Sequence, residues 1–156
     1  MGPAAGAMLK LKRYAVLEVT WVDPDTMREE GIGMTGELLR PVTVEECAEI
    51  VKTVFKLDSV KIFGDRDRIV ERVAVSPGSG KSMIPAALRA NAEVLITGDI
   101  GHHEGIDAVD QDLVIIDAGH YGIEHIFIER MRDLMKEQFP ELEVVTAKIR
   151  APFSVI

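Results

Sequence analysis

The chain has 156 residues, 47% of them apolar, one cysteine and a formal net charge of −8, which suits one domain burying roughly 70% of its unfolded surface without covalent staples. A lone cysteine excludes an internal disulfide, no apolar run approaches the ~20 residues of a membrane span, and the small-residue start has no signal-peptide core, so a cytoplasmic location is expected. The acidic balance, with Lys and Arg scattered along the chain, counts against nucleic acid as a direct partner and leaves cations as candidates.

Met1 to Ala7 is small-residue sequence expected to be a disordered start. Tyr14 to Trp21 is rich in β-formers and predicts a strand. Asp23 to Glu30 predicts a helical turn capped by Asp23 with Pro24 at its first position, and the glycines from Gly31 to Gly36 predict a loop. The expected organisation is an N-terminal tail and strand over residues 1–30, then an α/β domain over residues 31–156.

Thr43 and Glu46 have capping-box spacing, and Val44, Cys47, Ile50, Val51, Val54 and Phe55 recur on one face, so a helix begins here. Cys47 lies on that face and reads as a small buried hydrophobe, not a nucleophile. Strands are expected at Val60 to Phe63 and Ile69 to Val75. The following Ser76-Pro77-Gly78-Ser79-Gly80-Lys81-Ser82 ends like a phosphate-binding P-loop, but that motif needs glycine where Val75 stands. It reads equally as a structural turn or as a glycine-rich turn at a helix N-terminus suited to an anion.

A helix from Met83 to Asn91 leads to two apolar runs, Val94 to Ile96 and Leu113 to Ile116, with a crossover helix between them. A long helix from Ile123 to Phe139, with Ile126, Phe127, Met131, Leu134 and Met135 inward, stops at Pro140, and Leu142 to Ala147 is expected as a last strand. Alternating strands and helices predict an α/β fold with a mostly parallel sheet and helices on both faces.

All four histidines, His102, His103, His120 and His125, lie in one segment with the two apolar runs. Parallel strands send both following loops to the carboxyl edge, where open α/β sheets bind ligands. His120 and Glu124 are four residues apart, so on a helix starting near Gly119 they share a face and can grip one ion. His125 is out of phase with that pair and reads as solvent-facing, as does His102 in the plainer reading. Asp99 either caps the next helix or joins the site, and Asp117 either joins it or orients a histidine from behind. Imidazole with carboxylate suits zinc, manganese or iron in a catalytic or labile site, with His103 as acid or base beside a metal-bound hydroxide attacking a phosphoester or cyclic amide.

The segments GIGMTGELLRPVTVEECAEIVK, VAVSPGSGKS, VLITGDIGHH and LVIIDAGHYGIE together resemble the carboxyl half of the Nif-three-like proteins, also labelled GTP cyclohydrolase I type 2 homologues, over about Gly31 to Thr146. The resemblance implies two related α/β halves around a dinuclear metal centre, in a homo-oligomer that is commonly a ring-shaped hexamer. It maps metal ligands onto His120 and Glu124 and sets His103 near the metals. The family's paired-histidine motif and a further aspartate, normally in the amino-terminal half, are not found, so a fragment or shortened relative is expected, completed by a partner chain. Three functional expectations follow: a metal-dependent hydrolase of a cyclic or phosphorylated small molecule, a non-catalytic binding or assembly module, and a P-loop-like nucleotide binder.

Overall fold

The computed structural model describes residues 2–150 and 153. Helix α1 (Gly2–Met8) is followed by the hairpin strands β1 (Lys12–Val22) and β2 (Glu29–Thr43), then helix α2 (Val44–Phe55) and strands β3 (Lys61–Phe63) and β4 (Ile69–Ser79). A 3-10 turn (Lys81–Met83) leads into α3 (Ile84–Arg89), β5 (Val94–Gly98), α4 (His102–Val109), β6 (Val114–Asp117), α5 (His120–Glu124) and α6 (Ile126–Gln138). One six-stranded sheet runs in the order β1-β2-β4-β5-β6-β3.

Strand alternation builds the layers. Val94 and Ile96 of β5, with Val114 and Ile116 of β6, face a core shared with α1, α2 and Ile123 of α5. Leu95 and Ile115 point the other way, into a second core with Ala86 and Ala87 of α3 and Ala108 of α4. Both faces of the central strands are thus covered, which is why their sequence is continuously apolar rather than alternating. Helices lie on both faces as expected, but among the described residues parallel pairing is confined to β4 with β5 and β5 with β6. The margins, β1 with β2, β2 with β4 and β3 with β6, are antiparallel, so the sheet is mixed.

Helix α2 begins as its sequence dictates: the Thr43 hydroxyl accepts the Glu46 N–H and the Glu46 carboxylate accepts the Thr43 N–H, closing the capping box. Cys47 is fully buried on its inner face, and burial pushes the thiol up to about 12.

Elsewhere the structure departs from expectation. The small residues of the start form α1, because Ala5 is fully buried and Gly6 packs on the Met34 side chain. Only residues this small let the helix lie so close: a Cβ on Gly2 would stand 2.7 Å from the Gly33 backbone. The glycines expected as a loop are part of β2 for the same reason, since a Cβ on Gly31 would meet the Glu18 carbonyl oxygen at 1.9 Å. Gly33, at φ +70, takes a conformation that L side chains rarely adopt. Residues 23–28 turn the hairpin instead of opening a helix, with the Asp23 carboxylate accepting the Asp25 and Thr26 N–H groups.

At the other end, the expected strand Leu142 to Ala147 does not form. The expected long helix is interrupted at His125, and of its five predicted inward residues only Ile126 is buried; Phe127 is 48% and Leu134 44% exposed.

Candidate metal centre

The parallel strands β5 and β6 send their loops out side by side, and the two backbones touch. A Cβ on Gly98 would stand 2.5 Å from both the Gly119 carbonyl carbon and the His120 nitrogen. Asp117, only 2% exposed, fastens the loops together from below. Its carboxylate accepts the backbone N–H groups of Asp99 at 3.1 Å, Ile100 at 3.1 Å and Gly119 at 2.9 Å, and the Lys61 ammonium at 2.7 Å. A buried carboxylate is tolerated because its oxygens are filled in this way.

Asp99 has the other role. Its φ is +56, uncommon for a residue other than glycine and best tolerated by Asp and Asn. That bend turns its carboxylate onto residue 120, where Oδ1 accepts the main-chain N–H at 3.3 Å and Oδ2 lies 3.2 Å from ring Nδ1. The two aspartates therefore exchange the roles open to them in the sequence: Asp99 contacts the histidine, and Asp117 holds backbone.

His120 opens α5 and Glu124 closes it one turn later, bringing Nε2 to 3.1 Å from Glu124 Oε2, with side chains 48% and 42% exposed. Gly78, at φ +90, forms the floor: a Cβ there would stand 2.7 Å from Glu124 Oε1 and 3.7 Å from His120 Nε2. The floor is held by the buried Thr97 hydroxyl, which donates to the Ser76 carbonyl at 2.7 Å.

This segment is not a phosphate-cradling loop. Ser76 to Ser79 remain in β4, and Lys81 is paired with Glu104, whose carboxyl is held below its usual range chiefly by that hydrogen bond. His103 stands on a different element, the first turn of α4, edge-on to His102 at 5.4 Å between ring centroids. His125 leaves the site, as its phase predicts: its ring lies 6.0 Å from that of Tyr121, beside an open groove of about 550 Å³ between α1 and α6.

The residues fit a divalent cation in part. Two ligands about 2.0–2.2 Å from one tetrahedral ion stand roughly 3.3–3.6 Å apart, so the 3.1 Å between His120 Nε2 and Glu124 Oε2 would open by a few tenths of an ångström to hold one. Among the described residues, however, no three His, Cys, Asp or Glu side chains converge on one point. Asp99 does not complete such a set because it addresses the opposite nitrogen of the same ring. The Gly78 floor carries no signal in the spacing of residues, and of the two roles open to Asp99 the contact with His120 is selected by a positive φ that depends on the packed loops.

Fold and edge together define an α/β domain with an imidazole and a carboxylate paired at the carboxyl end of its parallel strands. A family model described as Duf34/NIF3 (NGG1p interacting factor 3) matches residues 4–152, and the chain belongs to that family. The match extends the likeness seen from about Gly31 back through β1 and into α1, so it takes in nearly the whole of this chain. The chain is 39% identical over 125 residues to the GTP cyclohydrolase 1 type 2 homolog of Streptococcus pneumoniae serotype 4, covering 78% of this chain and 46% of that protein. To the protein of the same name from Halalkalibacterium halodurans it is 34% identical over 131 residues, covering 81% and 35%. The chain thus spans less than half the length of these relatives. The fold matches the crystal structure of Staphylococcus aureus protein SA1388 with a TM-score of 0.85 at 21% identity, over 99% of this chain and 64% of that one. It matches the Bacillus cereus protein related to NIF3 at 0.83 and 16% identity, over 99% and 69%.

Proposed function

We propose that this chain is a metal-binding member of the NIF3 family that serves as a metal-dependent hydrolase of a cyclic or phosphorylated small molecule. One observation carries the reading: His120 Nε2 and Glu124 Oε2 lie 3.1 Å apart over a floor that only glycine leaves open. These two groups hold a divalent ion, zinc, manganese or iron, which when bound supplies a polarising charge and a nucleophilic water at neutral pH. His103, on α4, serves as the acid or base that moves a proton at the substrate. Two ligands cannot hold an ion firmly, so the remaining ligands come from a partner chain, in a homo-oligomeric assembly. The relatives' names make a purine nucleotide the first substrate to assay.

Elemental analysis of the purified protein, repeated on Glu124→Ala, tests this. Bound transition metal should fall by about tenfold or more in the variant; a trace content that the substitution leaves unchanged rejects the reading. Two ligands on this chain also suit a second reading, a binding or assembly module that keeps the fold without catalysis. Metal-independent oligomers by light scattering, without hydrolysis, would favour it.

A further inference from the structure

Two carboxylates flank one imidazole. Asp99 Oδ2 lies 3.2 Å from Nδ1 and Glu124 Oε2 lies 3.1 Å from Nε2 of His120. A neutral imidazole has one N–H and a carboxylate can only accept, so one of the two contacts gets the proton and the other faces a lone pair. The contacts are not equivalent. Asp99 holds residue 120 at two points, the ring and the main-chain N–H, while Glu124 touches the ring alone. Asp99 is also aimed by its backbone: φ +56 is imposed by loops that Asp117 fastens through the Asp99 and Ile100 N–H groups. A non-glycine residue kept in that conformation beside a functional pair is where such strain is commonly found.

We propose that Asp99 is a positioning residue that fixes His120 as the Nδ1–H tautomer, so that the Nε2 lone pair faces the Glu124 carboxylate and the pair is preset to take a cation. This deepens the metal reading above and rests on it for its purpose, though not for its test. A lone pair and a carboxylate 3.1 Å apart repel unless something positive lies between them. Asp99 therefore does more than steady the ring: it keeps the coordinating nitrogen free of a proton, the part that a carboxylate behind a ligating histidine plays in metal sites generally.

The test uses the whole chain without metal and two variants chosen to tolerate the positive φ. Asp99→Asn keeps the shape but offers an amide that can donate to Nδ1, and Asp99→Gly keeps the backbone freedom while removing the side chain. Nitrogen-15 long-range correlation spectra distinguish the Nδ1–H, Nε2–H and doubly protonated rings, and recorded across alkaline pH until the neutral ring dominates they read the tautomer of His120 directly. The expected result is Nδ1–H in the parent chain, Nε2–H in Asp99→Asn, and loss of the Nδ1–H preference in Asp99→Gly. Calorimetric titration with zinc ion should show Asp99→Asn binding about 10–100-fold more weakly. An Nε2–H tautomer in the parent, or a tautomer that neither variant changes, overturns the proposal. If the tautomer switches but zinc binds neither protein, the positioning role stands and the metal reading falls.

Discussion

The central strands β4 to β6 and the β1–β2 hairpin belong to one sheet but meet water very differently. Every residue of β5 and β6 is buried, between two layers of helix. In β1 only Leu17 is buried, and from Val19 to Ile32 the hairpin projects beyond both cores, with Trp21 51% exposed. The lesson concerns placement of function. The candidate site grows from the rigid strands, whose ends cannot shift without disturbing packed side chains, whereas the hairpin holds its register through backbone pairing and close approach.

The sharpest test is Ile115→Ala. It removes a fully buried side chain from the second core and should cost about 2–5 kcal/mol in denaturant unfolding; a loss below 1 kcal/mol, on the order of a surface change, would show that β6 is not the packed centre described. Next, Gly31→Ala should cost roughly 1–3 kcal/mol, because the new methyl overlaps the Glu18 carbonyl oxygen. Amide exchange should localise the damage to β1 and β2 and leave β5 protected. Thr43→Ala removes one arm of the capping box and should cost about 1 kcal/mol. Trp21→Ala, at the exposed hairpin, should change stability by no more than about 0.5 kcal/mol despite deleting the chain's one tryptophan.

The smallest effect lies beside the central strands, at the Lys81–Glu104 pair. Glu104's depressed pKa means that the pair's contribution is present above the ordinary carboxylate range and fades as pH falls through the lowered value. In Lys81→Ala the Glu104 midpoint, followed by carbon-13 NMR, should move back up toward that range.

How much could be read from residues alone follows the same division. The apolar runs of β5 and β6, the capping box of α2 and the four-residue spacing of His120 and Glu124 are local signals, and each appears in place. What failed depends on neighbours distant in sequence. The small residues at 2–6 read as a disordered start and the glycines at 31–36 as a loop until a helix and a strand are seen pressed together there. Leu142 to Ala147 has strand composition, yet the described sheet ends at β1 on one side and β3 on the other without it. The exchange of roles between Asp99 and Asp117 turns on one backbone angle, which no spacing encodes.

Lys61 belongs to β3, the outermost strand beyond β6, and its ammonium reaches the same sealed carboxylate that clasps Asp99, Ile100 and Gly119. Peeling β3 away would therefore unsettle the bend behind His120 without touching any group that meets solvent there. The rim of the sheet and the mouth of the site share a single fastening, the carboxylate of Asp117.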